Sequence, residues 1–249
     1  MDAGPLRIDT HVHSRASFDG HEPVELILEH ASEIGLDGVV VTDHDTIDAS
    51  LLAAELAPSY DLVPLPGVEV STAAGHLLAL GVDERPEPGR ALAETADAIE
   101  AAGGAAVVPH PFQRSRHGVR KRRLKHIDPD GIEVYNSMLF TGYRNRRADT
   151  FARRRDLTRV AGSDAHYLPN VGRAVTEFAL DVDPESAPDA AAEAVVDALR
   201  DGSTDVRGRR TPIHQSARHY AKGAARKATY AFTSRAPYVP TWPALGGDS

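Results

Sequence analysis

Short, nearly continuous apolar runs alternate along this chain with stretches in which apolar residues recur every three or four positions. The first pattern is typical of strands buried on both faces, and the second of amphipathic helices. The predicted strands are LRID (6–9), DGVVVTD (37–43), LVPLPGVEV (62–70), HLLALGV (76–82), GAAVVPH (104–110), DGIEVYN (130–136) and LTRVAGSDAH (157–166). The predicted helices lie within 22–35, 47–57, 89–104 and 142–155. This alternation predicts an α/β fold of parallel strands wrapped by helices.

Two further elements follow the last of these strands. VTEFALDVD (175–183) predicts a late strand, and PDAAAEAVVDALRDG (188–202) predicts a helix that closes the compact domain. From residue 207 onward the chain is basic, with eight Lys and Arg residues and a single acid, Asp248. We therefore expect a domain at 1–206 and a basic C-terminal extension at 207–249, helical from about Pro212 and loose at its end.

The composition excludes several kinds of site. Because the chain has no cysteine, disulfides, thiolate metal sites and a cysteine nucleophile are excluded. Residues 1–206 carry twenty basic and thirty-five acidic side chains. This acidic body argues against general nucleic-acid binding, whereas the basic extension leaves the question open. We find no signal peptide and no apolar run of the roughly twenty residues that cross a bilayer, and we expect a cytoplasmic protein with no membrane partner.

Residue types that bind metals end one predicted strand after another. The strand-end candidates are His11, His13, Asp43, His44, Glu69, His110, Glu133, Asp164 and His166. The carboxyl ends of parallel strands meet at one side of a sheet or barrel. Each motif alone has an ordinary alternative, such as a surface histidine pair, a turn or a packed ring. Their repetition at the same strand end predicts a shared metal site instead.

The ligand types indicate which ions this site would take. Imidazole and carboxylate suit Mn²⁺, Zn²⁺ or Fe²⁺, and Mg²⁺ is a further option. About nine candidate ligands, at roughly four to six per ion, predict two or three divalent ions. A bridging carboxylate is expected, and Glu69 is the candidate. Such clusters lower the pKa of bound water and stabilise an oxyanion, which favours phosphoester hydrolysis.

The order of these motifs resembles that of a known family. In chain order they are DTHVHSRASFDG, VVTDHD, PGVEVS, VVPHPF, EVYN and AGSDAH, between Asp9 and His166. The set is similar to the PHP (polymerase and histidinol phosphatase) domain family, and in particular to its stand-alone metal-dependent phosphoesterases. The resemblance implies a distorted (β/α)7 barrel, similar to a TIM barrel, with a trinuclear site at the C-terminal ends of the strands.

The resemblance also implies how the ligands divide among three ions. The first ion would be bound by His11, His13, Glu69 and Asp164, the second by Glu69, His110 and Glu133, and the third by Asp19, His44 and His166. Phosphatase members of the family often carry histidine where this chain has Asp19, and the stretch SFDGH also offers His21 as a rival ligand. The resemblance favours Asp19, because S-x-DG with this offset matches the family's smaller phosphoesterases. Carboxylates at positions 19 and 133 favour harder ions such as Mn²⁺ or Mg²⁺.

Residues around the ligands have two alternative roles each. Asp43 either orients His44 through a ring nitrogen or is a plain turn acid. The loop PFQRSRHGVRKRRLKH after His110 is either a solvated charge run or a phosphate-binding loop, and its place beside a ligand favours the latter. Its first candidates are Arg114 and Arg116, and weaker candidates outside the loop are Asn136 and Arg144.

These features together predict a metal-dependent phosphoesterase. A hydroxide that bridges the metals would attack phosphorus in line, and Asp164 or His166 would manage proton transfer to the leaving group. The candidate substrates are a nucleotide monophosphate, a bisphosphonucleotide, short 5′-phosphorylated RNA, and histidinol phosphate or another small phosphomonoester. Two alternatives remain: a non-catalytic PHP module that binds nucleic acid or protein, and a metal hydrolase that acts on a C–N or C–O bond. The sequence does not predict an oligomeric state.

Overall fold

The computed structural model of this chain describes residues 4–139 and 141–213, apart from the side chain of Arg114. Residues 214–249, and with them nearly all of the predicted C-terminal helix, lie outside the description. One compact unit of the chain ends at Thr211. Its last strand crosses position 207, so this unit extends slightly beyond the predicted boundary at 206.

All seven strands predicted between 6 and 166 form, most of them shorter than expected. The strand at 62–70 begins only at Gly67, because Pro64 and Pro66 have no N–H to donate to a neighbour. The late strand also forms, and a ninth strand that was not predicted follows the last helix. The strands are β1 (Leu6–Val12), β2 (Gly38–Val41), β3 (Gly67–Thr72), β4 (Gly75–Leu80), β5 (Ala105–Val108), β6 (Gly131–Asn136), β7 (Thr158–Gly162), β8 (Ala174–Phe178) and β9 (Thr204–Gly208).

The five predicted helices up to residue 202 also form, together with one short helix in the basic loop. Gly202 follows the last of them at φ 81°, a left-handed conformation that ends a helix without strain in glycine. Within the described residues, no helix combines the length and the apolarity that crossing a membrane requires. The helices are α1 (Val24–Glu33), α2 (Asp48–Leu56), α3 (Leu92–Ala101), α4 (Lys121–Leu124), α5 (Gly142–Arg155) and α6 (Pro188–Asp201).

The strands form two sheets, with the orders β2-β1-β8-β9 and β3-β4-β5-β6-β7. β1 and β2 are parallel, as are β5, β6 and β7, in agreement with the alternation of strands and helices. β4 is antiparallel to both of its neighbours, because only a short turn connects it to β3. β8 and β9 extend the first sheet as antiparallel strands.

The two sheets contact each other but do not close into a continuous barrel. Isolated parallel bridges join Val12 to Ala165 and His44 to Glu69. β2 has only four residues, so it offers few backbone groups for a ladder with β3. A mixed α/β fold is confirmed, whereas the closed (β/α)7 barrel implied by the resemblance is not formed by continuous strand pairing. Because the bridges are parallel, seven strands of the two sheets end on the same side, namely β1, β2, β3, β5, β6, β7 and β9.

One interior cluster of apolar residues is shared by both sheets. Ile8 of β1, Leu78 and Leu80 of β4 and Val160 of β7 belong to this cluster, and α6 covers it with residues such as Leu199. Side chains alternate along a strand, so positions two residues apart share a face. The interior face therefore continues along each strand from the apolar cluster towards the strand ends where the polar residues lie.

An irregularity in β1 directs its histidines into this interior. Ile8 packs in the interior cluster, and regular alternation would also turn Val12 inward. The register between β1 and β2 shifts between Asp9 and Val12. After the shift Val12 packs against α1, and His11 and His13 reach the interior instead. A bulge of this kind is a common way to re-aim side chains next to a functional site.

Candidate metal centre

The structure brings all nine predicted ligands into one cluster at the shared end of the strands. Seven of them are almost completely buried, while the side chains of Asp19 and His44 are about one-tenth exposed. The cluster consists of His11, His13, Asp19, His44, Glu69, His110, Glu133, Asp164 and His166.

Glu69 lies at the centre of this cluster. Its Oε2 atom is 3.3 Å from Nε2 of both His11 and His13 and 3.4 Å from Nδ1 of His44. Its Oε1 atom is 3.0 Å from Nε2 of His110. A carboxylate that faces imidazoles on both oxygens has the geometry of a bridging ligand, the role predicted for Glu69.

Within the described residues, four groups of three ligand atoms lie close enough together to hold an ion, with all atoms of a group within 4.8 Å of one another. The groups are His11–Glu69–His110, His11–His13–Asp164, His13–Asp19–His166 and His13–His44–Glu69. They share members, so the ions they would hold are neighbours, as in a multinuclear site. Imidazole and carboxylate donors in this arrangement fit divalent ions such as Mn²⁺, Zn²⁺ or Fe²⁺.

Glu133 belongs to none of these groups, although the resemblance implied that it binds an ion. Its Oε1 atom is 3.1 Å from Nδ1 of His11. Its Oε2 atom accepts hydrogen bonds from the backbone N–H of His110 at 2.6 Å and from the amide of Asn136 at 2.9 Å. Glu133 thus contacts two other predicted ligands, and its own binding of an ion stays a prediction.

Asp19, and not its rival His21, faces the cluster. The Oδ2 atom of Asp19 is 3.1 Å from Nε2 of His166 and 3.8 Å from Nε2 of His44. The ring of His21 lies against Tyr167, with ring centroids 4.6 Å apart, and is in none of the four groups. The resemblance favoured Asp19 over His21, and of the two residues Asp19 lies beside the other predicted ligands.

Asp43 lies near His13 rather than His44, whereas the sequence left open whether it orients His44 or is a turn acid. It accepts hydrogen bonds from the backbone N–H and the hydroxyl of Ser14, at 2.7 and 2.5 Å. Its Oδ1 atom lies 4.0 Å from Nδ1 of His13. Adjacent residues in extended backbone point to opposite sides. Asp43 is therefore directed towards Ser14, which follows β1, while His44 is directed towards Glu69.

Of the two first candidates for phosphate binding, Arg116 lies in the cluster. Its guanidinium contacts both carboxylate oxygens of Asp164, with Nη1 at 2.5 Å and Nη2 at 2.9 Å. The side chain of Arg114 lies outside the described part of the structure. The basic loop therefore brings at least one positive charge directly against a predicted ligand.

The two weaker candidates support other residues. Asn136 is fully buried, and its amide donates to Glu133 at 2.9 Å and to Asp164 at 3.0 Å. Arg144 donates to the backbone oxygen of Phe112 at 2.5 Å and so supports the basic loop. Direct contact of Asn136 and Arg144 with a substrate stays a prediction.

Within the described residues, sequence analysis missed one histidine of the cluster, His76. Its Nδ1 atom is 2.6 Å from Oε1 of Glu69, and its ring meets the rings of His44 and His110 edge-on. The sequence analysis considered residues at the carboxyl ends of strands. Because β4 is antiparallel, it is the beginning of this strand that lies at the site, and the short turn before it was the available signal.

Charges within the cluster shift the ionisation of its members. Burial alone would lower the pKa of His13, but contacts with Asp164 and Glu69 outweigh it and raise the pKa to about 9. Burial dominates at His44 and lowers its pKa to about 3, despite the nearby carboxylate. Burial would raise the pKa of Asp164, but the charge of Arg116 contributes most to holding it well below its usual range.

A cleft of about 770 Å³ opens beside the cluster. His44 and His76 form part of its wall, and the ring of Phe18, 71% exposed, stacks on His44 with centroids 5.0 Å apart. Among the described residues of the wall the one acid is Asp45, which accepts a hydrogen bond from the backbone N–H of Ser71. The basic side chains that line the cleft are His117, Arg120, Arg122 and Arg123. The cleft thus connects two histidines of the cluster with a basic rim suited to an anionic molecule.

Two protein-family models match this chain. The model described as PHP domain matches residues 9–139, and a model described as PHP-associated matches residues 142–204. The chain belongs to the PHP family. The first match contains the ligands from His11 to Glu133, and the second contains Asp164 and His166, so both halves of the cluster lie within matched residues.

Relatives and solved structures agree with this membership. An uncharacterised protein of Methanocaldococcus jannaschii is 28% identical over 153 residues, covering 57% of this PHP-family chain and 89% of that protein. A phosphoribosyl 1,2-cyclic phosphate 1,2-diphosphodiesterase of Eggerthella lenta is 37% identical over 82 residues, 30% of this chain and 31% of that enzyme. A two-domain protein from Bacteroides vulgatus that contains a predicted PHP-like metal-dependent phosphoesterase matches with a TM-score of 0.65 at 18% identity, covering 87% of this chain and 69% of that one. This structural likeness shows a shared fold.

Proposed function

We propose that this PHP-family protein is a metal-dependent phosphoesterase that hydrolyses a small phosphate ester. The observation that carries the proposal is the convergence of imidazoles on the buried carboxylate of Glu69. Two or three divalent ions, namely Mn²⁺, Zn²⁺ or Fe²⁺ with Mg²⁺ as a further option, suit these donors. When bound, such ions activate water at neutral pH and neutralise the charge that develops on phosphoryl oxygens.

The chain's own residues have distinct roles in this proposal. Glu69 would help to hold more than one ion, and Glu133 orients His11 and His110 through contacts with a ring nitrogen and a backbone N–H. The Nδ1 atom of His166 lies 2.8 Å from the backbone oxygen of Asp164, so Nδ1 carries the proton and Nε2 is directed towards the cluster. Asp164 and His166 remain the two candidates for moving the proton of the leaving group.

The surroundings of the cluster support a phosphorylated substrate. Arg116 places a guanidinium at the cluster, and Arg120, Arg122 and Arg123 line the adjoining cleft. Arginine binds phosphate oxygens in a bidentate manner, which fixes an ester relative to the reacting centre. The E. lenta relative, which is named for the hydrolysis of a cyclic phosphate, supports the same bond type. Nucleotides, bisphosphonucleotides and short 5′-phosphorylated RNA are the substrates to test first.

The test is hydrolysis by purified protein loaded with Mn²⁺ or Zn²⁺. A mononucleotide, a 3′,5′-bisphosphonucleotide, a cyclic phosphate, histidinol phosphate and a 5′-labelled oligonucleotide are assayed in parallel. We expect phosphate ester cleavage in at least one arm, and we expect His11→Ala and Asp164→Ala to abolish it. His30→Ala, on α1, is the matched histidine control and should retain activity.

Three outcomes would contradict the proposal. Folded, metal-loaded protein that cleaves none of these esters would refute the phosphoesterase function. Absence of bound metal under saturating conditions would favour a non-catalytic PHP module that binds protein or nucleic acid. Cleavage of a C–N or C–O bond without cleavage of any phosphate ester would favour the other class of metal hydrolase.

A further inference from the structure

The positive charges of the acidic body are concentrated in one part of the chain. Residues 114–155 contain thirteen of the twenty Lys and Arg residues found in 1–206, but four of its thirty-five acids. This region comprises most of the basic loop, with α4, followed by β6 and α5. The acidic total of the body, which argued against general nucleic-acid binding, therefore conceals one strongly basic region.

The first part of this region lies in the basic loop. The side chains from Arg120 to Arg123 and that of Lys125 are exposed. Within the described residues, the ion pair of this loop is made by Arg116 and not by any of these five. Lys121 and Lys125 are four positions apart around α4, a spacing at which like charges destabilise a helix. Contacts within the described part of the chain therefore do not account for this concentration of charge.

The helix α5 lies beside the basic loop. Near its start, Arg144 donates to the backbone oxygen of Phe112 at 2.5 Å, and the guanidinium of Arg147 lies over the ring of Phe112 at 4.5 Å. At its end, Arg155 donates to the backbone oxygen of Leu124 in α4 at 3.2 Å. Both ends of α5 thus contact the loop, so the charges of the two elements lie on neighbouring parts of the surface.

The outward face of α5 combines an aromatic ring with arginines. The buried residues of this helix recur every three or four positions, so the remaining positions form one exposed face. That face carries the ring of Tyr143, 69% exposed, and the exposed guanidinium groups of Arg146 and Arg154. Arg153 pairs with Asp149, whereas no described carboxylate forms an ion pair with Arg146 or Arg154. The face therefore presents unneutralised charge beside an exposed ring.

We propose that the exposed basic residues of α4 and α5 bind the phosphates of a single-stranded oligonucleotide whose end lies in the cleft beside the metal centre. Arg122 and Arg123 belong to α4 and also line the cleft, so the basic surface is continuous with it. Guanidinium groups bind phosphate oxygens in a bidentate manner. A basic surface with rings on which bases stack is how proteins bind single strands without sequence preference. The acidic remainder of the body repels the strand elsewhere, which favours this one path.

The length of α5 sets the size of strand that the surface suits. A helix of fourteen residues is about 21 Å long, which spans about six nucleotides at 3.4 Å each. The inference therefore favours strands of several nucleotides over mononucleotides. It rests on the proposed function for what happens at the end of the strand, whereas the binding of the strand is independent of hydrolysis.

The test measures binding of a fluorescent, 5′-phosphorylated single strand by fluorescence anisotropy, with the full chain in the presence of Mn²⁺. The strand has about twelve nucleotides, within the range of known single-strand sites. Its phosphorothioate linkages slow cleavage, and a denaturing gel checks that it stays intact. A mononucleotide is measured in parallel by titration calorimetry. Every protein compared keeps the same basic segment from residue 207 onward, so the contribution of that segment does not differ between them.

Two matched double variants are compared with the wild type. Arg146→Gln/Arg154→Gln removes two charges of α5 that do not line the cleft. Arg85→Gln/Arg90→Gln removes two exposed charges outside the basic region and changes the net charge equally. We expect the α5 variant to bind the strand about tenfold more weakly at about 50 mM salt. Its slope of log affinity against log salt concentration should fall by about 1.4, because each phosphate contact contributes about 0.7. Its affinity for the mononucleotide, and both affinities of the control variant, should match the wild type.

Other results would overturn the inference. Equal weakening in both double variants would reduce the effect to net charge. Equally tight binding of a duplex, of polyglutamate or of phosphatidylserine vesicles, with the same dependence on Arg146 and Arg154, would assign the surface to a different partner. If the α5 variant does not fold by circular dichroism, Lys121→Gln/Lys125→Gln on α4 gives the same comparison, since these residues do not line the cleft either.

The two proposals fail in different ways. Hydrolysis of a mononucleotide by protein that does not bind the strand would refute this inference alone. Strand binding that depends on Arg146 and Arg154, in protein that hydrolyses no phosphate ester, would refute the proposed function alone.

Discussion

The guanidinium of Arg116 lies against both carboxylate oxygens of Asp164, at 2.5 and 2.9 Å. Lysine keeps the charge but cannot reproduce the planar, two-pronged contact. We expect Arg116→Lys to lower kcat/KM by about tenfold or more, since one good charge-assisted contact is worth at least about 1.4 kcal/mol. Steady-state kinetics at saturating metal checks this. Arg153→Lys, on the exposed side of α5, is the control, and full activity of Arg116→Lys would contradict the prediction.

Asn136→Asp should destabilise the protein in the presence of a chelator. The Asn136 amide donates to Glu133 at 2.9 Å and to Asp164 at 3.0 Å. Aspartate is nearly isosteric but replaces this donor with a third buried carboxyl group. We expect a loss of about 2 kcal/mol or more in the free energy of unfolding, measured by urea denaturation with EDTA. Unchanged stability would show that the amide does not link the two carboxylates.

Asp19→Asn should reduce metal content, whereas His21→Ala should not. Asp19 faces His166 at 3.1 Å, while the ring of His21 lies on Tyr167 away from the cluster. Removing the charge of one ligand weakens the ion that it helps to hold, without touching the others. Metal analysis after dialysis against equal Mn²⁺ concentrations distinguishes the two variants. The reverse result would make His21 the ligand.

Chelator-treated protein should lose stability as the pH rises from about 6.5 to 9. Contacts with Asp164 and Glu69 outweigh burial and raise the pKa of His13 to about 9, above its ordinary value. A pKa raised on folding contributes stability that is complete below about pH 6.5 and is lost as the pH passes the folded value. The loss corresponds to about 3 kcal/mol. His44, whose pKa is lowered to about 3, contributes a dependence only below about pH 6.5.

Urea denaturation with EDTA at pH 6.5, 7.5 and 9 measures this dependence. His13→Asn should make the profile less steep, because one titrating imidazole is gone. A slope of the same sign should remain, because contacts with Asp164, Glu69 and Glu133 outweigh burial at His11 and hold its pKa well above its ordinary value. Saturating Mn²⁺ should increase the free energy of unfolding of the wild type, and this increase should grow with pH. The reason is that an ion binds only the neutral imidazole. A flat profile in the metal-free wild type would contradict the prediction.

The cleft arginines should affect substrate binding more than turnover. Arg122 and Arg123 are exposed and line the cleft beside the cluster. We expect Arg122→Ala and Arg123→Ala each to raise KM several-fold at low salt with little change in kcat. The effect should shrink as salt screens exposed charges. Steady-state kinetics at about 0.01 M and about 0.15 M ionic strength, where the Debye length is about 30 Å and about 8 Å, provides the comparison. An equal loss of kcat would place these residues in the reaction itself.

The sequence predicted which strand ends carry the chemistry, because apolar runs locate buried strands and the polar residues that end them stand out. Glu69, His110 and Asp164 follow directly from this reasoning. Strand direction was harder, since a run such as that of β4 reads the same in either direction. His76 was missed for that reason, and β9 was missed because its polar residues lack an apolar run.

Side-chain partners were also beyond the sequence. Asp43 and His44 are neighbours in the chain, yet one contacts Ser14 and the other Glu69. Asn136 follows a predicted ligand closely, and only the packing of β6 beside β7 turns its amide towards buried carboxylates. Such contacts depend on which faces of separate strands meet, and this is set by tertiary packing rather than by local pattern.

The turn between β3 and β4 contributes no atom to the metal centre, yet its length determines which side chains of β4 face Glu69. It sets Ser71 opposite His76. A slip of one position would preserve the ladder of backbone hydrogen bonds, but it would present Leu77 to Glu69 and turn the imidazole outward. We therefore expect relatives that keep this centre to vary freely at Ala73 and Ala74 while conserving the length of the turn and the glycine that closes it.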